Sequence, residues 1–453
     1  MTYDLVIQNG TIVTATTTYK ADVGITGERI AAIGERLSGK QVVDATGKLV
    51  TPGAVDVHVH LALDLGPGLV SSDDFFTGTR AAAFGGTTTV ISFVHPEPDE
   101  SMMAALMRRR AEADPDVVID YAFHSNIGPH HIDRLDELKA VAAAGITTYK
   151  LYMAYGLRLD DAQLLLALEA IGDVGGLPVV HAENWDVIQT LVARNVAAGR
   201  LTPHWHPRSR PALTEAESVS RVIDLATYVG VPVHIFHVGC SASVERIVAA
   251  RARGLPVTGE TCPQYLFLTD AAYDQPGLEG TFPVCAPPLR PEADRLAMWD
   301  ALKRDALQIV TTDHAPFTSE QKSRGLHDFS KIPGGVPSIE MRFAAVYSGG
   351  VREGYFSLNR WVDVCCTTPA TLCHLDRKGH IAVGYDADLV IFDTEKTVTL
   401  STDTLHEHCD WTPYAGLTIH GWPQTTISRG RVIVHDGAFF GERGQGRFIE
   451  RSL

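Results

Sequence analysis

The sequence lacks the features that mark secreted and membrane proteins. Its seven cysteines are an odd number and are scattered without a Cys-x-x-Cys pair, so a disulfide framework is not expected. No apolar run approaches the roughly 18 residues of a membrane span, and the first residues, MTYDLVIQNG, show no secretory signal. We therefore expect a protein of the reducing cytoplasm with no membrane partner.

Basic residues are also in the minority. The chain holds 39 lysines and arginines against 54 acidic residues, which gives a formal net charge of −15 at pH 7. This balance argues against nucleic acid as a partner. No Gly-x-Gly-x-x-Gly motif follows the first strand, so a dinucleotide site is not indicated. The rest of the composition is that of a globular protein with one large domain or two.

Both ends of the chain are rich in strand-forming residues. Near the start, YDLVIQNGTIV predicts a β-hairpin with Asn9-Gly10 as its turn. Near the end, DADLVIFD and TTISRGRVIVHDGAFF repeat the strand pattern. Because these ends flank a middle of different character, we predict one small β-sandwich domain built from residues 1–52 and 380–453.

The middle, residues 53–379, alternates between short apolar runs and helical stretches such as DDAQLLLALEAI. The runs that have the character of buried strands are 54–60, 87–94, 117–124, 146–153, 177–182, 232–238, 256–260 and 308–313. Eight strands alternating with helices predict an α/β fold, a (β/α)8 TIM-like barrel, with an open doubly wound sheet as the alternative. In such a barrel, catalytic groups lie at the carboxyl ends of the strands.

Pairs of histidines two residues apart occur three times. On a strand, this spacing places both imidazoles on one face, where their nitrogens suit a metal ion. His58 and His60 end the first apolar run and are predicted to be a ligand pair. The pairs at 204–206 and 406–408 lie in a proline- and arginine-rich loop and in a polar segment, so we interpret them as unrelated to a metal.

Three further strand ends carry a residue of ligand type, namely His181, His237 and Asp313. A single strand-end histidine is more often structural, and a single aspartate there often caps the next segment. Together with the first histidine pair, however, these residues converge on one barrel mouth and predict a metal site. His234 shares a run with His237 at an odd offset, which places it on the opposite face, and we interpret it as structural.

A lysine, Lys150, stands in the fourth apolar run, ITTYKLYM, where a charge is unexpected. Desolvation lowers the pKa of a buried lysine, and the neutral amine can take up carbon dioxide to form a carbamate. A carboxylated Lys150 would bridge two divalent cations. The ligands beside this bridge would be His58, His60 and Asp313 for one cation, and His181 and His237 for the other. The alternative is a structural lysine that pairs with an aspartate or reaches solvent.

Longer motifs run over nearly the whole chain in a fixed order. They are TPGAVDVHVHL, SSDDFFTGTRAAAFGGTTTVISF, KLYMAY, VVHAEN, FHVGCSAS, ETCPQYL, APPLR, TTDHAPF and GVPSIE. In these motifs the chain resembles the cyclic amidohydrolases of the dinuclear-metal amidohydrolase superfamily, in the branch of the hydantoinases and dihydropyrimidinases. The resemblance implies a hydrolase that opens a carbon–nitrogen bond of a cyclic amide, ureide or imide by means of a bridging hydroxide. It also implies a homo-oligomer, a tetramer or a dimer.

The resemblance assigns roles to individual residues. It implies the same six metal ligands, with Lys150 carboxylated and zinc as the usual metal, although manganese or cobalt would also serve. Tyr155 would be an oxyanion donor, and Asp313 would take the hydroxide proton and deliver it to the leaving nitrogen. Leu63 and Leu65 lie in LALDLGPGLV, residues 61–70, which suits an apolar flap over the barrel mouth.

Two positions depart from the family pattern. Members of this branch often have serine before the prolines of PPLR and asparagine in a PNG turn, and both hold the imide backbone of the substrate. Here the residues are Ala286 and Gly334, which leave main-chain contacts to the substrate. Dihydroorotases usually carry an arginine soon after the His-x-His pair, and HVHLALDLGPG has none, so we expect a neutral substrate. Allantoinase, dihydroorotase and a non-catalytic dihydropyrimidinase-like scaffold are the alternatives.

Overall fold

A computed structural model describes residues 2–453. The strands in that range are β1 (Thr2–Gln8), β2 (Thr11–Val13), β3 (Thr18–Lys20), β4 (Asp22–Thr26), β5 (Arg29–Gly34), β6 (Ser38–Asp44), β7 (Leu49–Pro52), β8 (Ala54–Asp56), β9 (Thr87–Val94), β10 (Asp120–Asn126), β11 (Thr148–Tyr152), β12 (Leu177–His181), β13 (Val233–Ile235), β14 (Val257–Thr261), β15 (Ile309–Val310), β16 (Leu389–Thr399), β17 (Thr418–Ser428), β18 (Arg431–His435) and β19 (Ala438–Phe439). The α-helices are α1 (Phe75–Phe84), α2 (Met102–Ala113), α3 (Leu138–Ala143), α4 (Asp161–Asp173), α5 (Trp185–Ala197), α6 (Trp205–Ser209), α7 (Ala212–Val229), α8 (Ser241–Ala252), α9 (Pro263–Phe267), α10 (Glu292–Lys303), α11 (Ser319–Ser323), α12 (Arg342–Val346), α13 (Leu358–Val362) and α14 (Thr368–Leu372).

Strands β8 to β15 form one parallel sheet in which each strand pairs with the next along the chain. The sheet closes where its first and last strands end: Val59 bridges His314, and the amide of His60 donates to the carbonyl of His314 at 2.8 Å. Helices fill the connections between successive strands. The predicted (β/α)8 barrel is therefore confirmed, and this closure excludes the open doubly wound sheet.

Four of the helices around the barrel, α1, α2, α4 and α5, begin at a side-chain cap. Asp74 before α1 and Asp160 before α4 each accept a hydrogen bond from the third backbone N–H of the helix. Helix α4 then buries Leu164, Leu168 and Ile171, whose spacing of three or four residues places them on one face. This apolar face packs against the barrel sheet, where α4 contacts β12.

Two further sheets combine both ends of the chain. One has the strand order β5-β4-β1-β6, and the other has the order β19-β18-β17-β16-β7-β2-β3. A shared buried cluster joins them, with Leu5 and Ile25 from the first sheet and Ile12, Leu389 and Ile427 from the second. The two sheets thus form a β-sandwich. The domain boundaries at residues 52 and 380 stay a prediction.

The predicted hairpin at Asn9-Gly10 is wrong. β1 pairs with β4 and β6, whereas β2 pairs with β3 and β7, so the chain passes from one sheet to the other at this turn. Asn9 has a φ of 63°, its backbone N–H donates to Asp22 at 3.0 Å, and its side chain donates to Asp44 at 2.9 Å. These contacts with distant strands override the local hairpin signal.

All seven cysteines carry free thiols within residues 2–453, and six of them are buried. The buried thiols pack as small apolar side chains. Over the same described range, no helix combines the length and the apolar character that a membrane crossing needs.

Candidate active site

A cavity of about 500 Å³ opens at the carboxyl ends of the barrel strands. Residues that the sequence singles out for the site all line it, namely His58, His60, Leu63, Leu65, Lys150, Tyr155, His181, His237, Ala286, Asp313 and Gly334. They lie in, end or follow six different strands, so only closure of the barrel brings them together. The volume suits a small molecule.

His58, His60 and Asp313 present three donor atoms to one point. The Nε2 atoms of His58 and His60 lie 3.3 Å apart, and Asp313 Oδ1 lies 3.0 Å and 3.1 Å from them. Ligands of a tetrahedral metal ion with bonds of about 2.0–2.2 Å are separated by roughly 3.3 Å. The spacing of these three atoms therefore fits one divalent cation.

His181 and His237 form a second pair of donors. His181 Nδ1 lies 3.0 Å from His237 Nε2, and both rings are buried. The other nitrogen of His181, Nε2, lies 2.9 Å from a carboxylate oxygen of Glu183. Because Nε2 donates its hydrogen there, Nδ1 is left as the free donor atom toward a metal.

Lys150 lies in β11 near both groups and is 1% exposed. Its Nζ lies 4.1 Å from the ring centroid of Phe236, which packs on His58, and 4.7 Å from that of Tyr152, which packs on His181. Within residues 2–453 it forms no ion pair. Burial lowers the pKa of Lys150 to about 7, so a large fraction of the amine is neutral near neutral pH.

Burial keeps most of the site imidazoles neutral, which is the form that binds metal. Desolvation lowers the pKa of His60 to about 4 and the pKa values of His181 and His237 below their usual range. Burial opposes protonation of His58, but neighbouring carboxylates raise its pKa. Burial also opposes ionisation of Asp313, but the adjacent histidines hold its pKa well below the usual range.

The buried carboxylate of Glu260, in β14, contacts the donor group of His58, His60 and Asp313 through His58. It lies 2.6 Å from His58 Nδ1 and 3.2 Å from His234 Nε2, and it accepts a hydrogen bond from the His237 backbone N–H at 3.2 Å. Burial opposes its ionisation, but His58 and His234 hold the pKa of Glu260 below the usual range. His234 does not line the cavity, and its Nε2 contacts Glu260, which in turn contacts His58.

Glu183 supports the second pair in the same way. It accepts from His181 Nε2 and from the Arg210 guanidinium at 2.5 Å. Sequence reasoning misses both Glu183 and Glu260. The available signal is a carboxylate at the end of a buried strand: Glu260 closes the run 256–260, and Glu183 stands two residues after His181. Such carboxylates fix the orientation and tautomer of a ligating imidazole.

Three site residues have a left-handed backbone conformation. The φ angles are 69° for Tyr155, 39° for His237 and 50° for Asp313. Non-glycine residues adopt such angles only rarely, at a cost of about 1–3 kcal/mol each. All three lie just past the end of a barrel strand, so the backbone is strained where it turns these side chains toward the cavity.

Tyr155 lies beside the second histidine pair. Its ring centroid is 5.2 Å from that of His181 and 5.2 Å from that of Trp185. Burial raises the pKa of the Tyr155 phenol. The hydroxyl therefore keeps its hydrogen at neutral pH and can donate it to an oxygen atom in the cavity.

The flap loop, residues 61–70, folds back on itself. The Leu65 amide donates to the Leu69 carbonyl at 2.9 Å, and the Asp64 carboxylate accepts from the Gly66 amide at 2.8 Å. Leu65 is 52% exposed at the cavity mouth. Apolar leucines thus face the opening, whereas the Asp64 carboxylate accepts its hydrogen bond from within the loop.

Ala286 and Gly334 also line the cavity, and neither offers it a polar side chain. A methyl group at Gly334 would meet only the Cα of Cys285, at 3.9 Å. Space for a Cβ atom is therefore available at position 334, so steric crowding does not require glycine there.

The histidine pairs at 204–206 and 406–408 lie outside the cavity. His206 donates to the Cys285 carbonyl at 2.8 Å, and His406 binds Glu340 at 2.9 Å. Both act as hydrogen-bonded structural residues.

Known proteins share both the sequence and the fold of this chain. The Amidohydrolase family pattern matches residues 49–433. A D-hydantoinase of Geobacillus stearothermophilus is 42% identical over 453 residues, which cover 98% of this chain and 96% of that protein. The structure of a D-hydantoinase from a Bacillus sp. AR9 matches with a TM-score of 0.97 and 44% identity over 99% of both chains.

The structure of a dihydropyrimidinase from Brevibacillus agri NCHU1002 matches with a TM-score of 0.97 and 43% identity, over 99% of this chain and 98% of that one. The resemblance of the motifs to the hydantoinase and dihydropyrimidinase branch is thus confirmed. The chain belongs to the amidohydrolase family.

Proposed function

We propose that this protein is a dinuclear-metal hydrolase that opens the ring of a neutral cyclic amide, ureide or imide, as a hydantoinase or dihydropyrimidinase does. The observation that carries the proposal is the convergence on one cavity of two metal-type donor groups and a buried lysine that has no ion pair within residues 2–453. The names of the relatives, D-hydantoinase and dihydropyrimidinase, support the same reaction class.

The donor set fits two divalent cations. His58, His60 and Asp313 would hold one, His181 and His237 would hold the other, and a carboxylated Lys150 would be shared. Nitrogen and carboxylate donors suit zinc best, and manganese or cobalt would also be accepted. When bound, the cations would supply a nucleophilic hydroxide at neutral pH and polarise the substrate carbonyl.

The side chains perform the proton transfers and stabilise charge. Asp313 is ionised because its pKa lies well below the usual range, so it can accept a proton from the attacking water. It then delivers that proton to the ring nitrogen as the carbon–nitrogen bond breaks. The Tyr155 hydroxyl donates a hydrogen bond to the oxygen on which negative charge develops. The products are a carboxylate and a free amide, urea or amine end.

The charges around the cavity favour a neutral substrate. Of the cavity-lining residues in the described part of the chain, Lys150 alone is a lysine or arginine. Arg158, the nearest cation by sequence, is half exposed and lies 3.8 Å from Asp186 rather than in the cavity lining. An anionic ring substituent in a partly desolvated cavity needs a bidentate cation, preferably arginine, and this disfavours dihydroorotate.

We also propose that the enzyme is a cytoplasmic homo-oligomer, a tetramer or a dimer. We propose further that residues 1–52 and 380–453 form a domain apart from the barrel of 53–379.

The non-catalytic scaffold is disfavoured because all six ligand positions hold residues that can bind metal. Allantoinase stays within the proposed reaction class as a second candidate, since its substrate is a neutral cyclic ureide.

The proposal is tested with purified protein loaded with zinc or manganese. Hydantoin, 5-substituted hydantoins, dihydrouracil, allantoin, dihydroorotate and simple cyclic imides are offered in turn, and the ring-opened product is measured. We expect turnover of uncharged rings. Absence of turnover for every ring, in protein that carries two metals per chain, would contradict the proposal.

A further inference from the structure

One part of the cavity lining is polar and has no role in the ring-opening chemistry described above. The loops after β9 and β10 contribute His95, Glu97, His130 and His131 to the lining. In the order of the sheet, these loops lie between the flap loop after β8 and Tyr155 after β11. Ala286 and Gly334, by contrast, follow β14 and β15. The polar wall therefore comes from strands other than those that carry the two positions expected to hold the ring backbone.

His95 offers a hydrogen-bond donor to this part of the cavity. The Asn126 side-chain amide donates to His95 Nδ1 at 2.6 Å. With Nδ1 acting as acceptor, the ring hydrogen lies on Nε2. His95 Nε2 is buried and has no hydrogen-bond partner within residues 2–453. An N–H group is thus held in a fixed direction by a buried asparagine and left unpaired.

His131 offers the complementary acceptor. Its Nε2 donates to the Glu97 carbonyl at 3.2 Å, so its Nδ1 carries a lone pair. His131 is 3% exposed, and Nδ1 lacks a hydrogen-bond partner in the described chain. The Glu97 that fixes this ring stands two residues after His95, so both imidazoles are parts of one connected wall.

A buried polar atom that stays unpaired costs about 1–3 kcal/mol. A ligand that fills this part of the cavity therefore gains binding energy if it supplies an acceptor for His95 and a donor for His131. A hydrocarbon substituent supplies neither. A primary carboxamide or a ureido group supplies both, because each carries a carbonyl oxygen and an N–H on adjacent atoms.

We propose that His95 and His131 are specificity-determining residues that bind a carboxamide or ureido substituent on the ring of the substrate, with His95 Nε2–H donating to its carbonyl oxygen and His131 Nδ1 accepting from its N–H. This inference rests on the proposed ring-opening function. It names the class of substrate within it: a neutral cyclic ureide whose side arm is itself an amide or a urea.

The test uses two matched substrates and the metal-loaded enzyme. A hydantoin with a carboxamidomethyl group at carbon 5 has nearly the same shape as one with an isobutyl group, but only the first can form the two hydrogen bonds. The measured quantity is the ratio of kcat/KM for the carboxamide to kcat/KM for the hydrocarbon. Using a ratio separates this interaction from changes in metal content or in the ring chemistry.

We expect His95→Leu to lower this ratio about tenfold, a change of about 1.4 kcal/mol, which one hydrogen bond can supply. His131→Phe should lower the ratio about fivefold. His95→Gln places an amide N–H near the position of Nε2 and should keep at least a third of the wild-type ratio. His327→Leu is the control, because His327 is exposed and lies outside the cavity lining.

A ratio in His95→Leu within twofold of the wild type would overturn the inference, as would an equal loss in His95→Gln and His95→Leu. If His95→Leu does not fold, His131→Phe carries the same comparison, and an unchanged ratio there overturns it equally. Wild-type enzyme that opens both substituted rings supports the proposed function whatever the ratios are. Failure to open any uncharged ring would instead remove the proposed function and this inference together.

Discussion

At the scale of single residues, the surroundings of Lys150 decide its chemistry. The side chain is enclosed by the rings of Phe236 and Tyr152, and it forms no ion pair within residues 2–453. Burial lowers its pKa to about 7, so the amine is available as a nucleophile toward carbon dioxide at neutral pH. A carbamate on Lys150 would replace a costly buried cation with an anionic group that two metal ions can neutralise.

Lys150→Ala is expected to lose bound metal and ring-opening activity, and Lys150→Arg is not expected to restore either. Arginine keeps the charge but cannot form the carbamate. Short carboxylic acids should partly rescue Lys150→Ala, because they place two oxygen atoms in the space that the carboxylated lysine side chain would otherwise fill. Metal content and kcat are the readouts. Full activity in Lys150→Arg would show that a cation is what the site needs.

Lys322 is a second fully buried lysine, and its burial has a consequence for stability. Its Nζ donates to the Val284 carbonyl at 3.0 Å and lies 5.3 Å from the Trp411 ring centroid. Burial lowers the pKa of Lys322 from 10.5 to about 7. Between these two values the unfolded chain binds more protons than the folded chain, so the stability that this residue governs rises with pH through that window.

Lys322→Met is therefore expected to be more stable than the wild type at pH 6, by a few kcal/mol at most. The advantage should shrink steadily as the pH rises from 7 toward 10, where the wild-type lysine is neutral in the folded protein. Denaturant unfolding of both metal-loaded proteins at pH 6, 8 and 10 measures the difference. A difference that grows with pH would show that the lysine is charged and paired in the fold.

The sequence is informative about residues whose type is unusual for their position. His58, Lys150 and Asp313 stand out because each lies in or at the end of an apolar strand. The contact between His95 and Asn126 does not stand out. It joins residues 31 positions apart, and only the register of β9 against β10 brings them within hydrogen-bond distance. Contacts of this kind depend on tertiary geometry that residue type does not carry.

At the scale of elements, strand β14 ties the site together. Its Glu260 contacts His58 after β8, His234 in β13 and the backbone of His237 after β13. One carboxylate thus fixes ligands of both proposed metal ions. Supporting carboxylates of this type typically contribute 10–100-fold to metal affinity, in round terms about 1.4–2.7 kcal/mol.

Glu260→Gln is expected to weaken metal binding about 10- to 100-fold, because a neutral amide holds the His58 tautomer less firmly. Competition with a chelator measures the affinity. Glu340→Gln is the matched control, since Glu340 is a buried carboxylate that binds His406 outside the cavity. Equal metal affinities for Glu260→Gln and the wild type would remove Glu260 from the supporting role.

The sequence predicts which segments are strands better than it predicts which strands pair with each other. The apolar runs locate all eight barrel strands because buried parallel strands lack the alternation that other elements show. Asn9-Gly10 misleads because the same dipeptide serves a hairpin and a crossing between sheets, and the choice depends on Asp22 and Asp44. Strand partners that are far apart in sequence decide such cases.

At the scale of the whole molecule, charge favours uncharged substrates. The chain has a net charge of −15, and in the described part of the chain the cavity lining offers no arginine and only the one lysine assigned to metal binding. A negatively charged ring would be repelled on approach and would find no bidentate partner inside.

We therefore expect kcat/KM for uncharged five- and six-membered cyclic ureides and imides to exceed that for dihydroorotate by at least about tenfold, or roughly 1.4 kcal/mol of transition-state binding. The comparison is made at one metal loading and one ionic strength. A clear preference for dihydroorotate would overturn the substrate class and the account of the flap loop.

The central claim, that ring opening needs two metal ions in this cavity, is tested most directly by titrating metal-free protein with zinc or manganese. Bound metal per chain and the rate of opening of hydantoin or dihydrouracil are measured on the same samples. We expect a rate that is negligible without metal and that reaches its plateau at about two ions per chain, because the donor set exceeds what one tetrahedral ion accepts. A plateau at one ion, or full activity in the metal-free protein, would contradict it.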